Sequence, residues 1–153
     1  MAAANGIKRI VVGVDGSKNG AAALGWAIRM AKGMGSQITA VYAIDIPVYF
    51  PEPYGVPVQF DEDWREAMRA EFEDKWCRPL KASGVRYRTV IGEGRPASVI
   101  SDVADGQSAD VIVVGRRGRS AVGELVLGSV SHELALHAHR PVLLIEPTKS
   151  GRR

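Results

Sequence analysis

Four residues in the C-terminal third have the types and spacing to hold an anion: Gly115, Gly118, Gly128 and Ser129. They lie in VIVVGRRGRSAVGELVLGSVSHEL, residues 111 to 134. There a β-branched run breaks into glycine and arginine, and nine residues separate the second glycine from a Gly-Ser pair. Glycine lets backbone N–H groups come close to phosphate oxygens. Ser129 opens a helical pattern whose N-terminal amides and dipole favour negative charge. Taken singly, each glycine reads as a tight turn and Ser129 as an N-cap. Taken together, directly behind a buried strand, G-x-x-G, nine residues and G-S point to phosphate. Arg116, Arg117 and Arg119 sit inside this segment, where they either clamp phosphates or lie solvated on a loop, one or two touching ligand rather than all three. Asp15, in VDGS, has three readings: a hydrogen-bond partner for ribose or adenine, a ligand for Mg²⁺, or a turn-former ahead of a helix.

Other motifs fall away on chemistry. Gly123 and Gly128 are spaced like the glycines of a P-loop, but Ser129 stands where that loop needs lysine, so rapid hydrolysis of that kind is not expected. GEGRPA, residues 92 to 97, matches a dinucleotide fingerprint only in outline, because the next strand ends in Gly115 rather than an acid. His132, His137 and His139 are poorly aligned on a helix and lack a completing cysteine or carboxylate, which makes them surface residues rather than metal ligands. Ser131 and His132 have no orienting acid for a hydrolytic triad. Trp64, Met68 and Phe72 recur every four residues and read as core packing, with the single Cys77 on the same helix needing no redox role.

These residues must be positioned by elements that alternate along the chain. IKRIVVGVD (7 to 15), QITAVYAID (37 to 45), VRYRTVI (85 to 91), ADVIVVG (109 to 115) and PVLLIEP (141 to 147) read as strands, the first of them buried on both faces. Between them lie helical patterns. The first has Ser17 as cap, Leu24, Ala27, Ile28 and Ala31 on one face, and GMGS at its end. A second begins near Asp61, with Pro79 ending or kinking it. A third starts at Pro96 with Val99, Ile100 and Val103 inward, and the last is SVSHELALHAHR, residues 129 to 140. Residues 46 to 60, with four prolines, read as a long loop or lid. Alternation of this kind predicts an α/β fold with a five-stranded parallel sheet, order 3-2-1-4-5 or its flavodoxin-like relative, and helices on both faces. Asp15 and Gly115 then end neighbouring strands and face one crevice.

Bulk properties agree with one domain, residues 1–147, followed by a disordered tail, 148–153. The 153 residues are 46% hydrophobic and 24% charged. A net charge of +3 suits an anionic ligand but lacks the concentrated basic stripe of a nucleic-acid binder. No signal sequence or membrane span is expected, and one cysteine fits a reducing compartment, which reads as a cytoplasmic protein.

The sequence resembles the universal stress proteins over nearly its whole length. The likeness is carried by IVVGVDGSKNGAAALGWA, GRPASVI and ADVIVVGRRGRSAVGELVLGSVSHELALHAHRPVLLIEP. The nucleotide motif of that family's ATP-binding branch, G-2x-G-9x-G-(S/T), is met by Gly115, Gly118, Gly128 and Ser129. The resemblance implies an adenine nucleotide alpha hydrolase-like sandwich with ATP as ligand. Asp15 would contact the nucleoside with Gly13 beside it, and the backbone of Val41 would read the adenine edge. Gly115 through Arg119 and Gly128, Ser129, Val130 and Ser131 would wrap ribose and phosphates. It also implies a homodimer paired through the last strand, residues 142 to 146, in line with the tendency of an apolar edge strand to pair with its own copy.

The function expected is a nucleotide-responsive stress or regulatory module with little or no turnover. The rival is a slow ATPase or autophosphorylating enzyme, for which Asp15 or Glu124 would have to act as base. A phosphoacceptor receiver domain is disfavoured, since Asp15 stands alone and Ile91-Gly92 follows the third strand. Gly115→Ala and Gly128→Glu are expected to abolish nucleotide binding and spare the fold.

Overall fold

β-Branched residues on both sides of the central strands demand cover on both faces, and those strands receive it, while the two edge strands are only partly buried. The computed structural model describes residues 6–45, 60–118 and 127–148. Five parallel strands, β1 (Arg9–Gly13), β2 (Gln37–Ile44), β3 (Tyr87–Glu93), β4 (Val111–Gly115) and β5 (Val142–Ile145), lie in the order β3-β2-β1-β4-β5. Alternate residues of each strand enter separate cores. Ile10, Val12 and Val113 pack with Leu24, Ala27, Phe72 and Leu80 on one face. Val11, Val41, Ile112 and Val114 pack with Ala97, Ile100 and Leu134 on the other. Each large apolar side chain removed from water contributes about 1.5–3 kcal/mol. Three layers result, helix on sheet on helix.

The first helix, α1 (Lys18–Met34), begins as its sequence requires. Ser17 stays extended and its Oγ accepts from Gly20 N at 3.0 Å. The predicted face Leu24, Ala27, Ile28 and Ala31 is buried, and the helix ends at Gly35. At the other end of the sheet, Asp110 Oδ2 accepts from the backbone N–H groups of Lys8 and Arg9, both at 2.8 Å, and so joins the starts of β1 and β4. Those two bonds hold the Asp110 carboxyl below its ordinary range.

The helix after Asp61 departs from expectation. α2 (Glu62–Ala70) runs into a π-turn, Glu71–Trp76, and a short helix α3 (Arg78–Ser83) follows. Cys77 N donates to Phe72 O at 2.9 Å, a bond spanning five residues. That wider turn brings Phe72 and Cys77 to the same side, and both are fully buried, as is Leu80. The helical run that starts at Glu62 therefore ends at Trp76, just ahead of Pro79. That proline lies in the first turn of α3, where no backbone donor is needed. The stripe Trp64, Met68, Phe72 is also not one core face: only Phe72 is buried. Burial pushes the Cys77 thiol up to about 12, with Glu73 adding to the effect, so it stays a protonated, unreactive core group.

On the opposite face lie α4 (Pro96–Gly106) and α5 (Ser129–His137). Pro96 stands at the start of α4 as predicted; Ile100 is buried, with Val99 and Val103 partly so. α5 is shorter than residues 129 to 140. Ala138 is already extended, and Asp105 holds His139 Nδ1 at 3.0 Å and Arg140 Nε at 3.1 Å ahead of Pro141. The third strand is shifted towards its C-terminus, because Ile44 offers Glu93 a partner in the ladder. Residues 46–59 of the proline-rich loop, and the tail from residue 149 on, lie outside the described residues. No helix among the described residues is long and apolar enough to cross a membrane.

Candidate functional site

Where β1 sits between β2 and β4, connections leave to opposite faces, and the strand ends part. A cleft of about 720 Å³ opens there, within the range of roughly 300–1,000 Å³ usual for small-molecule sites. Ten residues singled out in the sequence line it: Gly13, Asp15, Val41, Gly115, Arg117, Gly118, Gly128, Ser129, Val130 and Ser131.

Two do not. Arg119 lies outside the described residues, as do Gly123 and Glu124. Arg116 turns its side chain to Glu146, with Nη1 2.9 Å from Oε2, and contributes its backbone instead. Its N–H donates to Ile145 O at 2.7 Å, and its carbonyl accepts from Gly128 N at 3.0 Å.

The glycines are explained by close approach. A Cβ on Gly115 would lie 2.7 Å from the carbonyl carbon of Asn19, so this glycine lets α1 pack on the end of β4. The expectation that Gly115→Ala spares the fold is therefore corrected: the substitution presses on a helix backbone. A Cβ on Gly128 would lie 3.0 Å from Arg117 Cα, and the 116–118 segment thus folds directly onto the start of α5. Ser131 fastens the same junction. Its buried hydroxyl donates to Arg116 O at 2.6 Å and also lies 3.0 Å from Gly128 O.

The start of α5 differs from the bland reading of Ser129. Ser129 is the first helical residue and Gly128 the N-cap, with no side-chain hydrogen bond capping the helix. An α-helix leaves its first amides without internal partners. Here the residue placed to satisfy them has no side chain, and the three residues that follow line the cleft.

Asp15 realises its turn-forming role and keeps a second face. Oδ1 accepts from Ser17 N at 2.9 Å and from Ser17 Oγ at 2.5 Å. Oδ2 lies 3.0 Å from the position a Cβ of Gly118 would take, which brings the carboxylate against the glycine segment. Val41 pairs with Gly13 in the ladder, and its carbonyl already accepts from Val14 N at 2.9 Å. A carbonyl has a second lone pair to offer.

Several lining residues were not among the site candidates read from the sequence. Pro96, Ala97 and Ile100 come from α4, whose GRPA start sets them beside Gly13. Arg95 and Glu133 form an ion pair at 3.1 Å at the rim, too exposed to contribute much. Phe60 and Trp64 line the far end, next to Ile44 and Asp45. Among the described residues no group of three or more His, Cys, Asp or Glu is arranged to hold a metal ion. His132 and His137 are exposed, and His139 meets Asp105 on the surface.

Known proteins are similar to this chain in sequence and fold. A universal stress protein of Thermus aquaticus is 34% identical over 140 residues, covering 90% of this chain and 98% of the relative. A universal stress protein solved in complex with cAMP has the same fold, with TM-score 0.67 and 24% identity, covering 92% of this chain and 98% of that one. So does one from Archaeoglobus fulgidus in complex with dAMP, with TM-score 0.67 and 24% identity over 91% of this chain and 98% of the other. With the universal stress protein family itself matching residues 6–146, this chain belongs to that family.

Proposed function

We propose that this protein is an adenine-nucleotide-binding regulatory module, with ATP as its ligand and little or no turnover. The observation that carries the reading is the start of α5, a helix N-terminus with glycine as its cap, opening into the cleft beside Gly118. Its amides and dipole suit phosphate oxygens, and the backbone N–H of Gly118, on the folded-over segment, adds to them. Arg117, on the cleft wall, adds positive charge to the same end, and Arg119 is assigned there from the motif alone. Asp15 repels phosphate and therefore faces the nucleoside, where a carboxylate accepts from ribose hydroxyls, or takes a Mg²⁺ brought in with the nucleotide. Val41 offers backbone to the adenine edge. Relatives of the same fold bound to cAMP and dAMP support an adenine nucleotide as the ligand class.

Regulation requires only that ATP bind two states with different affinity. A second copy paired along β5 is the assembly proposed to report it, since β5 has a ladder partner on one side, β4. A charge at Leu144 should weaken that dimer in light scattering, with circular dichroism to check the fold, because Leu144 also packs on the core.

The test is to purify the protein without added nucleotide, denature it and identify what is released by chromatography and mass spectrometry. ATP near one equivalent per chain is expected. ADP or AMP would shift the reading to a hydrolase. An empty protein that also fails to bind added ATP in calorimetry would overturn it.

A further inference from the structure

We propose that Trp64, backed by Phe60, is the stacking wall for the base of the bound nucleotide and a source of the cleft's affinity for base-bearing ligands. This rests on the nucleotide reading above and adds a residue to it. The two rings lie 3.8 Å apart at an interplanar angle of 18°, both half-buried on the cleft wall. A core stripe would have buried Trp64 with Phe72; instead its indole stays at the cleft.

The pair is held in place by its surroundings. Asp61 Oδ1 accepts from Trp64 N at 2.8 Å, which starts α2 at a defined point. Arg65 Nε donates to Phe60 O at 3.2 Å, and the same guanidinium pairs with Glu93 at the end of β3. Glu93 stands beside Ile44 in the ladder, so the rings are tied to the strand end that forms the cleft floor.

The cleft thus has two chemically different ends across β1. Backbone amides gather at the α5 end, and ring surface gathers at the α2 end. A ligand with phosphates at the first places its flat, apolar part at the second. Every base has a π-face, so stacking adds affinity for any base, while hydrogen bonds elsewhere select among them.

The experiment is calorimetry with ATP on the wild type, Trp64→Ala and Trp64→Phe, followed by tryptophan emission during titration. Trp64→Ala is expected to weaken ATP binding by about 5- to 150-fold, the range set by one base on one aromatic ring. Trp64→Phe should restore a large part of that loss. ATP should quench an emission component present in the wild type and missing in Trp64→Phe. Trp64→Ala binding ATP within twofold of the wild type, with quenching intact in Trp64→Phe, would overturn the assignment while leaving the nucleotide reading standing. A wild type that binds no ATP overturns both. Partial rescue and the lost quench together separate stacking from a general effect on α2, which would move affinity but not the emission of a correctly folded Phe variant.

Discussion

Two helices, α1 and α5, point their N-termini at the same cleft, and the chain treats them differently. At α1, Ser17 takes the amide of Gly20 and Asp15 takes the amide and hydroxyl of Ser17. The positive end of the helix is neutralised from within, and a full negative charge stands in front of it. At α5, Gly128 is the cap and supplies no side chain. Identical backbone physics gives one satisfied terminus and one that a ligand can complete. In the proposed reading the pair orients an asymmetric ligand, with phosphate repelled at α1 and attracted at α5.

The comparison can be broken most strongly at Gly128. Gly128→Glu places a carboxylate at the open terminus, and its Cβ also presses on Arg117. ATP affinity should fall by about 100-fold or more, the cost of like charges brought together, as read by calorimetry. Unchanged affinity would remove α5 as the phosphate site.

Gly115→Ala should act on the fold before the ligand. Its Cβ meets the Asn19 backbone, an overpacking worth about 1–3 kcal/mol, or roughly 2–4 °C in Tm for each kcal/mol in a chain of this size. Thermal unfolding without nucleotide measures it, and an unaltered Tm would show that α1 gives way freely.

Ser17→Ala sharpens the contrast from the other side. It removes the α1 cap, costing about 1 kcal/mol of stability, and should lower Tm with a smaller effect on ATP binding than Gly128→Glu. An equal loss of binding would make α1 part of the ligand contact.

The smallest effect is expected far from both helices. Asp110 is held low by the amides of Arg9 and Lys8, so its contribution to stability is complete above the unfolded carboxyl value of about 3.9. It is lost as pH falls through the lower folded value. Asp110→Asn should flatten that acid limb in a pH series of unfolding curves, and an unchanged limb would assign acid sensitivity elsewhere.

Much of this architecture is legible in the residues. Alternating buried strands and amphipathic helices give the strand order, and a Gly-Ser pair behind G-x-x-G marks the start of α5. Legibility fails where one position decides the outcome. Ser129 and Gly128 compete for the cap, and a single step along the chain separates a filled terminus from an open one. Arg116 sits inside the motif, yet it answers to Glu146, thirty residues later, which no local pattern reveals. The spacing of Trp64, Met68 and Phe72 reads as one face only if the helix keeps 3.6 residues per turn. The π-turn after Ala70 gives the core Phe72 and Cys77 and leaves Trp64 to the cleft.

That same turn gives the molecule an internal clock. Cys77 is the sole cysteine, fully shielded, with its thiol pushed up to about 12, so a thiol reagent reaches it only when the α2–α3 layer lifts from the sheet. The rate of labelling at one atom then times the opening of that layer. A ligand gripped between α2 and α5 would slow the clock in proportion to how tightly it holds the layer down.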